Sequence, residues 1–132
     1  MILCDTSGLI ALLDRDDLNH ARVSPYSKEH LIVPVTVLCE VDYFISKYLG
    51  DHVARQFMTG QGRNEWTLLG FEASDLERAN EIRAEYTDLR IGFVDASLIA
   101  LAERHRLSRL LTLDRRHLAV VRPRKLELEL LP

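Results

Sequence analysis

Short apolar runs alternate with segments of helical spacing along this chain, and that alternation restricts the fold more than any other feature. Met1–Cys4, Leu31–Val33, Trp66–Phe71 and Arg109–Leu113 read as strands. Between the first two, Leu9, Ile10, Leu12 and Leu13 recur at helical spacing. Thr36 is placed to cap a helix that runs to Leu49 and stops at Gly50, and Asp51 to cap a shorter one that fades at Gly60 and Gly62. Ser74-Asp75-Leu76-Glu77 has the form of a capping box, with Ser74 at the N-cap and Glu77 three residues on, and it opens a helix to about Leu89 that Gly92 closes off. Val94–His105 is the next helix. Leu118–Val121 is a further candidate strand, and the alternation in Lys125–Leu131 suits an edge strand. Short, uniformly apolar strands separated by helices predict an α/β fold with a parallel sheet covered on both faces. No repeat, low-complexity segment or linker divides residues 1–132, so a single domain is expected.

Four acids stand where these elements begin or end. Asp5 follows the first strand and Asp114 follows Leu110-Leu111-Thr112-Leu113. Glu40 lies about one turn into the helix after the second strand, and Asp95 opens the helix that leads into the fourth. In open α/β sheets, ligands bind beyond the carboxyl ends of the strands, and these positions bring all four acids to that rim. Each alone has an ordinary reading: a turn residue for Asp5 or Asp114, a helix N-cap for Asp95, a surface acid for Glu40. Together they repel one another unless a cation lies among them. An all-oxygen donor set selects a hard cation, Mg²⁺ or Mn²⁺, over zinc. The hydroxyls of Thr6, Ser7 and Thr112 neighbour the acids and are placed to orient carboxylates or a water, although Thr6 and Ser7 equally suit helix capping.

The net charge of −3 argues weakly against nucleic acid, but its distribution does not. Eight Lys or Arg residues fall between Arg104 and Lys125, where Asp114 is the only acid. Such a stretch suits an anionic substrate brought to a metal, or an ordinary solvated surface. Arg115, Arg116 and His117 directly follow Asp114 and are candidates for phosphate contact. No apolar stretch approaches a membrane span, and no basic lead or cleavage site suggests a signal peptide. Cys4 and Cys39 lie in apolar runs and read as buried free thiols of a cytoplasmic protein.

Four ordered segments carry a resemblance: Ile2-Leu3-Cys4-Asp5-Thr6-Ser7-Gly8-Leu9-Ile10-Ala11, Val33-Pro34-Val35-Thr36-Val37-Leu38-Cys39-Glu40-Val41, Gly92-Phe93-Val94-Asp95-Ala96-Ser97-Leu98-Ile99-Ala100 and Leu111-Thr112-Leu113-Asp114-Arg115-Arg116-His117-Leu118. In these the chain resembles PIN-domain proteins of the VapC type, the toxin ribonucleases of type II toxin–antitoxin systems. The resemblance implies a three-layer α/β/α sandwich around a central parallel sheet. It implies that Asp5, Glu40, Asp95 and Asp114 form the catalytic quartet of a Mg²⁺- or Mn²⁺-dependent endoribonuclease, with Asp5 and Asp95 the main metal ligands. It further implies a transfer or ribosomal RNA substrate, a VapB-type antitoxin as partner, and a homodimer that assembles with it into a heterotetramer or larger.

Two rivals remain at this level. A non-catalytic PIN-like module would bind RNA or a protein partner without cutting, and an incomplete quartet would favour it; here the quartet is complete. Phosphoryl transfer on a receiver-like or dehalogenase-like domain needs a second acid near Asp5 and a late lysine. Ser7 occupies the first place, and Lys125 suits the second poorly.

Overall fold

All three residues of β1 (Ile2–Cys4) are buried, because the strand lies inside the sheet with both faces covered. The computed structural model describes residues 1–132. In it β1 pairs in parallel with β2 (Leu31–Pro34) on one side and β4 (Arg109–Leu111) on the other, Leu3 lying beside Ile32 and Leu110. With β3 (Trp66–Leu69) and β5 (Glu129–Leu131) the strand order is β3-β2-β1-β4-β5, all parallel. The chain passes outward from β1 to β3 through α1 (Thr6–Leu13), α2 (His20–Val23), α3 (Val35–Tyr48) and α4 (Asp51–Gly62). It returns across the sheet to β4 through α5 (Ala73–Glu85) and α6 (Phe93–His105). Right-handed crossovers put helices of the outward and return paths on opposite faces. The α/β/α sandwich expected from the sequence is the fold observed.

The core follows from the same pattern. α3 turns Val37, Val41 and Ile45 inward at helical spacing. α6 is buried from Ala96 through Ala102, so it is apolar on nearly every side. Trp66 stacks on Phe57 with ring centroids 4.9 Å apart, and its indole N–H donates to the Phe57 carbonyl at 2.9 Å. No helix is long and apolar enough to cross a membrane.

Several elements depart from the sequence expectation for identifiable reasons. The cap of α5 is Glu72, with Asp75 in the N3 place; Asp75 accepts from the Glu72 N–H at 2.8 Å. Asp75 is drawn inward by Arg104, which donates to it twice, at 2.7 and 2.8 Å. α3 starts at Val35 behind Pro34, so Thr36 caps nothing; its hydroxyl lies 2.8 Å from that of Ser97. Gly50 (φ +96°) precedes α4, and Asp51 pairs instead with Arg55 at 2.8 Å. Leu118–Val121 is not a strand but a turn in which the Val121 N–H donates to the His117 carbonyl, burying Leu118 and Val121 three residues apart. The edge strand is confined to Glu129–Leu131. Cys4 is buried as expected, but Cys39 is exposed, because it stands two positions from both Val37 and Val41 and so on the far side of α3.

The chain leaves β1 through α1 toward β2 on one side, whereas β4 and β5 lie on the other, so strand order reverses between β1 and β4 and a crevice opens at their carboxyl ends.

Candidate active site

Asp5 enters the crevice straight from β1. Its backbone N–H donates to the Leu111 carbonyl of β4 at 2.9 Å, and its side chain caps α1. Its carboxylate accepts from the Thr6 N–H at 2.7 Å, the Ser7 hydroxyl at 3.0 Å and the Thr112 hydroxyl at 2.8 Å. The residue is only 6% exposed. Burial pushes its pKa above the ordinary 3.8; those three donors oppose the rise, and the charge of Asp95 adds to it. No cationic side chain bonds this carboxylate, so its charge is met by neutral dipoles alone.

The three hydroxyls singled out in the sequence tie the site together. Thr6 donates to Glu40 at 2.6 Å, linking α1 to α3. Ser7 accepts from the Leu113 N–H at 2.9 Å, and Thr112 accepts from the Asp114 N–H at 3.1 Å. Asp95 lies in the first turn of α6, where the helix dipole favours a carboxylate, and Nδ1 of His117 lies 2.9 Å from it. Asp114 is held by Arg116, whose guanidinium donates at 3.0 and 2.7 Å. That guanidinium keeps the Asp114 carboxyl below the usual carboxylate range.

All four acids line one open cavity of about 760 Å³. No three of them converge tightly enough to form a ready coordination sphere, and His117 and Arg116 engage two of them. The donor set nonetheless fits a hard divalent cation: four carboxylates and nearby hydroxyls, with no thiolate. Asp5, uncompensated and facing the charge of Asp95, is where such a cation would relieve the most repulsion.

The basic stretch of the sequence is largely spent within the protein. Arg104 pairs with Asp75, Arg109 with Glu29, and Arg124 with Glu81 and Glu85. Arg115 donates to the carbonyls of Leu130 and Pro132, at 3.0 and 2.6 Å, and so fastens the C-terminus. Arg116 and His117 face the cavity.

Comparison with known proteins establishes the family and the fold. Residues 2–123 match the model of the PIN domain. The chain belongs to the PIN domain family. It is 35% identical over 125 residues to Ribonuclease VapC26 of Mycobacterium tuberculosis, covering 92% of this chain and 93% of that protein. The PIN fold here superimposes on the crystal structure of Mycobacterium tuberculosis VapC20, a sarcin–ricin loop cleaving toxin, with a TM-score of 0.80 at 20% identity, over 93% of this chain and 98% of that one. VapBC2 from Rickettsia felis, bound to a DNA fragment from its promoter, superimposes with a TM-score of 0.71 at 19% identity over the whole of both chains.

Phe44, Arg90 and Phe93 are among the cavity-lining residues that the sequence reading did not single out. The signal for Phe44 was its place one helical turn beyond Glu40, and for Phe93 its place in the segment Gly92-Phe93-Val94-Asp95. Arg90 had none, because it reaches the cavity through a loop.

Thr112 gives a direct check on the hydroxyl network. Thr112→Val keeps the shape but leaves the Asp114 N–H unpaired and takes one donor from Asp5. A loss of about 1–3 kcal/mol in denaturant unfolding is expected. Calorimetric titration with Mn²⁺ is expected to show affinity reduced roughly 10- to 100-fold.

Proposed function

We propose that this protein is a Mg²⁺- or Mn²⁺-dependent endoribonuclease and the toxin of a VapBC-type toxin–antitoxin pair. The observation that carries this reading is the buried, uncompensated Asp5 carboxylate sharing one open cavity with Asp95, Glu40 and Asp114. The relatives support it, since they include a ribonuclease and a sarcin–ricin loop cleaving toxin.

Asp5 and Asp95 would hold the principal ion and Glu40 would share it, while Asp114 would complete a second, weaker position. When bound, the metal supplies Lewis acidity toward a phosphodiester. The chain's own groups do the rest. Thr6 fixes the orientation of Glu40, which positions the attacking water. Ser7 and Thr112 fix the orientation of Asp5. Arg116, largely exposed, exchanges Asp114 for a substrate phosphate, while Arg115 remains on the C-terminus. The substrate is structured cellular RNA, transfer or ribosomal. The partner is a VapB-type antitoxin that covers the cavity, with the toxin as a homodimer inside a heterotetramer or larger assembly in the cytoplasm. The VapBC complex among the structural neighbours supports that assembly.

Incubation of the purified protein with total cellular RNA, followed by end mapping, tests the reading. A few discrete cuts bearing 5′-phosphates are expected in Mn²⁺ and none in a chelator. Intact RNA in both, or equal cutting in both, would show the reading to be wrong.

A further inference from the structure

The rim of the acidic cavity carries features that four carboxylates do not explain. Phe93, the first residue of α6, and Phe44, on α3, both line the cavity, yet they leave 39% and 36% of their surfaces exposed. Phe71 packs its ring against that of Phe93 at 5.6 Å and nearly perpendicular (80°), which props the Phe93 ring upright. Arg90 lines the same rim. Arg116 and His117 are paired with Asp114 and Asp95, whereas the Arg90 guanidinium has no carboxylate partner. The backbone beneath these groups is fixed. Arg90 sits in the left-handed region (φ +50°) with its N–H donating to the Thr87 carbonyl, and Arg83 donates to the Ile91 carbonyl at 3.0 Å. Between Arg90 and Phe93, Gly92 lines the same cavity and has open space where a side chain would project.

Exposed aromatic faces and an unpaired guanidinium beside a phosphodiester-cleaving centre match one kind of ligand. Nucleobases stack on aromatic rings irrespective of sequence, and arginine takes the adjacent phosphate. An apolar protein segment would use the rings but would leave Arg90 unanswered. Arg116 and His117 are already paired with two of the acids, so Arg90 is the cation left free at the cavity mouth.

We infer that Phe93, Phe44 and Arg90 form a subsite that holds the nucleotide next to the scissile phosphate, its base against the aromatic rings and its phosphate on Arg90. This rests on the ribonuclease reading above. It makes these three residues positioning residues that act through RNA rather than through metal.

The test is RNA binding by fluorescence anisotropy in the Asp5→Asn protein without divalent ions, using a labelled single-stranded oligouridylate and an abasic RNA of equal length. The unmodified rim is expected to prefer the oligouridylate by on the order of tenfold. Phe93→Ala should erase that preference, and Phe93→Trp should retain it. Arg90→Asn, which suits the left-handed backbone, should weaken both ligands alike and lower the salt dependence by about 0.7 in log–log slope. A preference that survives Phe93→Ala, equal or absent binding of the two RNAs to the unmodified rim, or an unchanged salt slope in Arg90→Asn overturns the subsite. Loss of protein-partner capture by Phe93→Ala with RNA binding intact overturns it as well. The same rim substitutions, placed on the native Asp5 background and assayed with Mn²⁺, separate the two claims. If native protein cuts RNA but the base preference ignores Phe93, only the subsite fails; if native protein cuts no RNA, the ribonuclease reading fails.

Discussion

Replacing Asp5 by asparagine is expected to lower RNA cleavage on the order of 10³-fold or more, as removal of an essential charged group does, while the fold survives. The asparagine carbonyl can still accept from the Thr6 N–H, and its amide can face the Ser7 and Thr112 hydroxyls, which also accept. Stability in the absence of divalent ions should rise. Burial holds the folded-state pKa of Asp5 above its ordinary 3.8, so the protonated carboxyl favours the fold. That favourable contribution is complete below the unfolded-state pKa and is lost as pH rises through the folded-state value. At neutral pH the ionised Asp5 therefore costs stability, and asparagine removes the cost. Thermal unfolding followed by circular dichroism should place the variant a few degrees above native protein at pH 7, with the gap closing as pH falls toward 3.8. Native cleavage rates in the variant, or a gap that widens on acidification, would contradict this.

Gly8→Ala should do the opposite, damaging fold and site together. Gly8 presses α1 against β4, and an added Cβ would lie 2.7 Å from both the Leu111 carbonyl oxygen and its Cγ. The Leu111 backbone has little freedom to yield, because its carbonyl accepts from Asp5 and its neighbours pair with β1 and β5. α1 must therefore back away, at a cost of about 3 kcal/mol. The movement also draws Ser7 off Asp5 and off the Leu113 N–H, so Mn²⁺ affinity per folded molecule should fall roughly 10- to 100-fold. Urea unfolding and Mn²⁺ titration measure the two effects, and a native unfolding midpoint would show that the contact yields easily.

Much of this was legible in the chain because strand ends and buried apolar runs leave strong local signals. Ile2-Leu3-Cys4 before Asp5, and Leu110-Leu111 before Thr112 and Asp114, announce both a parallel strand and the rim it points to. What escaped is what only tertiary contacts decide. Ser74 and Glu77 form a good local capping box, but Arg104, 29 residues beyond Asp75, shifts the cap to Glu72 and Asp75. Leu118 and Val121 are apolar enough for a strand, yet the fold buries them through a turn. The basic run looked like a substrate surface because its partners, Glu29, Glu81 and Glu85 among them, lie far away in sequence. Arg90 gave no sign for the complementary reason: nothing near it in sequence reveals that its loop ends at the cavity.

The most direct measurement is an anomalous difference map from crystals grown with Mn²⁺. The strongest peak is predicted at the carboxylates of Asp5 and Asp95, and it should vanish in Asp5→Asn crystals. A cavity without manganese under conditions where the same protein cuts RNA, or an undiminished peak in the Asp5→Asn crystals, would contradict the account.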